Sequence, residues 1–242
     1  MSADKDKSKV HKLSLRGSSK LVAEFFQYSI NTILFQRGVY PAEDFTAVKK
    51  YGLNMLVSAD DQVKAYIKKI MSQLDKWMIG GKISKLVVVI TDKDTGEHVE
   101  RWQFDVQILT KPTKSKPSAA TRKTSDKENA APESTSTTAP PEPSAAPSHA
   151  SSAPADPKTE AEIQQEIQSI FRQITASVTF LPQLQGDCTF NVLVYADADS
   201  DVPLEWGDSD PKEIRNAEKV QLRSFSTTSH KVDTLVSYRL QE

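Results

Sequence analysis

Hydrophobic positions recur at helical spacing in three stretches of the chain and alternate with a period of two between them. That sequence of patterns predicts an α+β domain. In the first stretch Leu21, Val22, Phe25, Phe26, Ile30, Ile33 and Leu34 fall on one helical face. Ser18 or Ser19 is placed to cap it, and Gly38 followed by Tyr40-Pro41 forbids its continuation. Phe45–Lys50 and Leu53–Val57 then read as two short extended pieces hinged at Gly52. A second helix is expected to start near Ser58, with Asp61 placed for a capping-box contact. It carries Val63, Tyr66, Ile67, Ile70, Met71, Leu74, Trp77 and Met78 and stops at Gly80-Gly81.

The run Leu86–Ile90 has no polar interruption and predicts a strand buried on both faces. After a turn at Asp92–Gly96, residues His98–Ile108 alternate. Trp102, Phe104, Val106 and Ile108 face one side and Arg101, Gln103, Asp105 and Gln107 the other, which suggests a less central strand. Thr159 and Glu162 form a T-x-x-E capping box before a third helix carrying Ile163, Ile167, Ile170, Phe171, Ile174, Val178 and Leu181, which Pro182 ends. Gly186 leads into a strand, Cys188–Tyr195. An acidic, loop-like run from Asp197 to Asp210 follows, with Trp206 inside it as an aromatic anchor, and the sequence closes on two strand-like segments. In the last, His230–Leu240, Val232, Thr234, Val236, Tyr238 and Leu240 share a face opposite Lys231, Asp233, Ser237 and Arg239. A strong strand tethered by a long polar loop can pair with one sheet edge or leave it for another.

Composition sharpens the boundaries. Thr110 to Lys158 contains no Leu, Ile, Val, Met or aromatic residue and holds nine of the thirteen prolines. Such a stretch lacks the apolar surface that offsets ordering entropy, so it reads as a disordered insertion between two structured halves. Residues 1–12 read as a second disordered segment, and residues 13–109 and 159–242 share one core, with the closing segment beginning at about residue 197. The N-terminal stretch is charged and lacks the apolar core of a secretory signal. No run is long and apolar enough to span a membrane. The 31 basic and 32 acidic residues cancel, which argues against a nucleic-acid or membrane partner. The single cysteine, Cys188, excludes an internal disulfide and reads as a small buried hydrophobe.

No phosphate-cradling loop, nucleophile elbow, metal-ligand spacing or cysteine–histidine cluster appears. His230 has no nucleophile placed beside it by any motif and reads as a strand-end polar residue. These features favour a binding protein with no cofactor, metal or catalytic residue over an enzyme. Lys127-Glu128-Asn129 spells a K-E-N tripeptide of the kind read by the anaphase-promoting complex, although chance explains it better in a Lys/Glu-rich segment.

Longer blocks carry a resemblance. Ser14-Leu15-Arg16-Gly17-Ser18, Val22-Ala23-Glu24-Phe25-Phe26 and Gln36-Arg37-Gly38-Val39-Tyr40-Pro41 resemble the Mad-two spindle-checkpoint family, as do Lys85–Ile90 and Glu100-Arg101-Trp102-Gln103-Phe104-Asp105. Arg172-Gln173-Ile174-Thr175-Ala176, Val178–Pro182 and Leu222–Thr228 continue it through the second half. The family has the HORMA fold, so the resemblance implies three helices on one mainly antiparallel sheet and a mobile C-terminal β segment, the safety belt. It implies an open form, with the belt beside the strand matching Cys188–Tyr195, and a closed form, with the belt beside the strand matching His98–Ile108. In the closed form a partner peptide takes the vacated edge, here Phe190, Val192 and Val194, by β-augmentation. Belt residues are then Trp206, Phe225, His230, Val232, Val236 and Tyr238.

The same resemblance implies homodimerisation of open and closed copies through Arg172, Gln173 and Phe180. It implies a coiled-coil kinetochore checkpoint receptor and the activator subunit of the anaphase-promoting complex as partners, with an AAA+ remodelling ATPase as a further candidate. The setting it implies is the nucleus and kinetochore, and also the cytoplasm. A bridging HORMA subunit of a translesion polymerase complex shares the fold and is the alternative. The family's connector before the third helix is much shorter than residues 110–158, and it moves during conversion. Deleting residues 112–156 is therefore expected to leave the circular dichroism spectrum intact and change the rate of open-to-closed conversion. Identical rates would remove any role for the insertion in switching.

Overall fold

Ser14 starts helix α1 (Leu15–Gln36) by accepting the Gly17 N–H at 3.1 Å. This start precedes the expected caps, Ser18 and Ser19, which lie buried inside the helix. Its first turn carries little of the buried apolar face, so periodicity alone placed the start too late. The computed structural model describes residues 14–109 and 158–240. The N-terminal segment 1–12 and the insertion with its K-E-N tripeptide lie outside them, except Lys158.

Strands β1 (Phe45–Lys50) and β2 (Leu53–Ser58) form a separate two-stranded sheet. They turn through Tyr51 and Gly52, both at positive φ, as a two-residue hairpin with primed geometry requires. Tyr51 tolerates this because its ring stacks on Phe171 with centroids 5.6 Å apart and its hydroxyl donates to Glu24 at 2.8 Å. Helix α2 (Asp61–Ile79) is capped by Asp60, which accepts the Val63 N–H at 2.8 Å. Ser58, the expected start, instead ends β2 with its N–H bound by Asn31. Asp61 pairs with Lys64 on the surface and makes no capping box. Helix α3 (Glu160–Ala176) has the reciprocal Thr159/Glu162 box. It ends earlier than Pro182, because a 3-10 turn at Ser177–Thr179 takes over; Val178 is exposed and Leu181 buried.

The main sheet comprises β3 (Ile83–Asp92), β4 (His98–Ile108), β5 (Cys188–Ala196), β6 (Glu218–Gln221), β7 (Phe225–Ser226) and β8 (His230–Tyr238). Its order is β5-β3-β4-β8-β6, every pairing is antiparallel, and β7 also pairs with β8. Leu86–Ile90 are fully buried, as their unbroken apolar run required. Strand β4, expected to be less central, lies inside the sheet because β8 pairs along its far side. Its residue Arg101 is buried accordingly, whereas Ile108 at its end is exposed.

The three helices and one face of the sheet enclose the core, and Phe25 is its hub. That ring lies 5.8 Å from Phe104 on β4, 5.4 Å from Phe171 on α3 and 4.8 Å from Phe225 on β7. Such offset and edge contacts add about 0.5–1.5 kcal/mol per pair beyond the buried area. Arg37, just past α1, donates from Nε to Glu100 on β4 at 2.8 Å, and both side chains are buried. Burial pushes the Glu100 carboxyl up, opposed by the Arg37 charge and by the Trp102 N–H donated to it. Arg37 also donates to the Pro182 carbonyl, which fixes the chain after α3. Truncation in Arg37→Ala leaves Glu100 buried without its partner and should cost about 3–5 kcal/mol in urea unfolding. A loss below about 1 kcal/mol would put the pair among ordinary surface bridges.

Candidate functional site

The closing hairpin docks on β4. Register runs from Ile108↔His230 to Glu100↔Tyr238, and β6 and β7 cover the other side of β8. Val232, Thr234, Val236 and Tyr238 are buried along this strand. Leu240, expected on the same face, lies beyond the strand end and is exposed. Phe225 inserts against Phe25, so the hairpin contributes to the central aromatic cluster.

The turn before β8 is fastened to α1 by polar groups. His230 is the first residue of β8, the strand-end polar residue its sequence context suggested, and it is almost completely buried. Its Nδ1 lies 2.6 Å from Ser18 Oγ, which lies 2.6 Å from Thr227 Oγ1. Thr227 Oγ1 already accepts the N–H groups of Ser229 and His230. The Thr227 hydroxyl also reaches the His230 carbonyl at 3.3 Å, so Ser18, Thr227 and His230 form one buried hydrogen-bonded chain. Burial lowers the His230 pKa, in keeping with a neutral ring.

Residues 197–217 link β5 to β6, and five contacts trace their path. The Asp197 N–H donates to the Lys82 carbonyl, and Lys82 pairs with Asp199 at 2.7 Å. Trp77 of α2 donates to the Asp201 carbonyl at 3.0 Å, and its ring meets Trp206 edge-on at 5.1 Å. Trp206 is thus the anchor its sequence context suggested. Farther on, Arg101 donates to the Pro211 carbonyl. Glu100 points to α1, so its neighbour Arg101 lies on the opposite face of the sheet. Between Trp206 and Pro211 the chain therefore passes from the helix-bearing face to the other.

Strand β5 pairs with β3 on one side, and no described strand pairs with its other side. Phe190 and Val192 are buried on the helix-bearing face and Val194 is packed against the same cluster. The Val192 N–H points away from β3 to Tyr66 Oη at 3.4 Å. A cavity of about 390 Å³ beside it is lined by Tyr40, Asp60, Gln62, Tyr66, Phe190 and Asn191. This edge is one strand short.

The face of α3 carries Arg172, exposed as its position off the core stripe implies. Gln173 accepts the Arg223 N–H at 2.7 Å, and the exposed ring of Phe180 lies 6.2 Å from Tyr238. Two of the three residues singled out for self-association thus touch the docked hairpin. Arg172 lines a separate groove with Phe35 and Met55.

Residues 18–230 match the HORMA domain family. The chain is 53% identical to the mitotic spindle checkpoint component mad2 of Schizosaccharomyces pombe, covering 94% of each. It is 42% identical to the mitotic spindle assembly checkpoint protein MAD2A of Homo sapiens, covering 94% of this chain and 93% of that one. A chain of a crystal structure of the mitotic checkpoint complex matches with a TM-score of 0.71 and 51% identity, over 93% of this chain and 99% of that chain. The chain belongs to the HORMA domain family. Within it, the chain is a spindle-checkpoint component of the Mad2 branch, and the translesion alternative is set aside.

For this HORMA chain, the sequence left Ser18, Thr227, Trp77 and Tyr66 without a functional part. Ser18 looked like a cap and Tyr66 like core; only the tertiary fold brings them to the hairpin turn and the vacant edge. The buried His230 also sets a pH dependence. A histidine depressed in the docked state binds its proton preferentially when the hairpin is released, so docking is complete above the ordinary value near 6.5 and weakens as pH falls below it. His98 contributes in the same direction, burial lowering its pKa too. Melting of the docked form should therefore fall from pH 7.5 to 5.5, with a slope of up to about 1.4 kcal/mol per pH unit for each proton. The His230→Gln variant should show a flatter profile; an unchanged profile would mean that His230 keeps the same protonation in both states.

Proposed function

We propose that the chain is a two-position conformational switch of the spindle checkpoint and that this structure is its closed position. One observation carries the reading: β8 occupies the β4 edge while β5 is left one strand short. An extended peptide from the activator subunit of the anaphase-promoting complex adds along Phe190, Val192 and Val194, main-chain hydrogen bonds giving affinity and the adjoining cavity receiving a side chain. Residues 197–217, anchored at Trp206 and again near Pro211, enclose it. A coiled-coil kinetochore receptor presents a competing segment of the same kind, and activator capture delays anaphase. The chain acts by binding, without catalysis or cofactor, at the kinetochore, in the nucleus and in the cytoplasm.

In the open position β8 sits beside β5 and covers that edge. Moving between the positions exchanges one set of strand pairings for another and is slow on that account. The α3 face supports pairing of the two forms. Gln173 and Phe180 contact the hairpin only when it is docked as here, so the surface around Arg172 differs between positions. An AAA+ ATPase is the proposed means of reopening.

Ion-exchange chromatography of the pure chain should resolve two slowly interconverting forms that merge when an activator peptide is added. A single species indifferent to peptide would overturn the switch. In pull-downs from mitotic cells, Arg172→Ala should retain its peptide partners and lose self-association; equal recovery of a second copy would remove Arg172 from that contact.

A further inference from the structure

Tyr66 stands on α2 with its ring edge-on to Phe190 of β5, centroids 5.5 Å apart. Its hydroxyl oxygen accepts the Val192 N–H at 3.4 Å. An amide on an unpaired strand edge is normally taken by water or by the carbonyl of another strand. The phenol oxygen therefore stands where a carbonyl oxygen of an added strand would bond. It is a side chain doing the work of a missing main chain, placed midway between Phe190 and Val194. Burial pushes the Tyr66 phenol up while the Val192 N–H acts in the other direction, so the oxygen is a neutral acceptor. Tyr66 is 39% exposed and lines the cavity beside the edge, which gives its ring room to turn away.

We propose that Tyr66 is a positioning residue that plugs the vacant β5 edge and must release Val192 before a peptide strand can pair there. The inference rests on the peptide-capture reading of that edge. Tyr66 acts against binding: it holds the edge amide in the empty closed form and suppresses pairing with unselected strands. A ligand gains the Val192 N–H only by displacing it, so the bond weakens every ligand by its net worth. That worth is at the low end for a hydrogen bond because the contact is long.

The test is Tyr66→Phe, which keeps the ring against Phe190 and removes only the hydroxyl. Binding of a synthetic activator peptide, measured by calorimetry on the closed form, should tighten about three-fold. The Val192 amide of the unliganded variant should exchange faster with solvent, and its melting temperature should stay within about a degree of the wild type. A tyrosine that merely packs would leave the affinity unchanged, and one whose hydroxyl contacts the ligand would give weaker binding; either result overturns the plug. Absence of peptide binding by both proteins would instead overturn peptide capture at this edge.

Discussion

The whole arrangement depends on which strand pairs with β4. β8 and β5 stand on opposite sides of the β3–β4 pair, and one stretch of chain, residues 197–217, leads from β5 to β6, the strand paired with the far side of β8. From β5 to β6 is four strand spacings, about 19 Å. Fully extended, the connecting residues could span roughly 70 Å, so length does not hold the hairpin in place. What holds it is the in-register ladder on β4, with Phe225 against Phe25 behind it and the Ser18–Thr227–His230 chain at its turn.

These contacts differ in kind, and the difference matters for release. The ladder and the aromatic insertion tolerate small displacements. The buried hydroxyl and imidazole do not, because each would be left in apolar surroundings without a partner at about 1–3 kcal/mol per group. The hairpin therefore leaves as a unit. The acidic loop contributes less: the Lys82–Asp199 and Lys69–Glu205 bridges are largely exposed and screened by solvent. Its purchase on the body comes from Trp77 and Trp206.

Much of the fold was legible in the sequence because its signals are local. The Thr159/Glu162 box, the apolar run Leu86–Ile90 and the alternation of His98–Ile108 each identified an element directly. The failures were also local. The first turn of α1 carries little of the apolar face, and Ser58 looked like a cap only because Asn31, far away in sequence, was not known to hold its amide. The site was less visible. The edge residues Phe190, Val192 and Val194 and the self-association residues came from resemblance, not from any periodicity. Their surroundings depend on pairings between distant segments, as when Gln173 meets Arg223 or Tyr66 meets Val192. The central position of β4 was hidden for the same reason: its second edge is taken by β8, a segment far away in sequence.

The path of residues 197–217 from one face of the sheet to the other has a topological consequence. With β8 on β4, the backbone forms a ring whose clasp is the β4–β8 ladder. A strand threaded through such a ring is held mechanically as well as by its contacts. Its residence time then belongs to the protein: peptides of unlike sequence and affinity would leave at one common rate, the frequency with which the clasp opens.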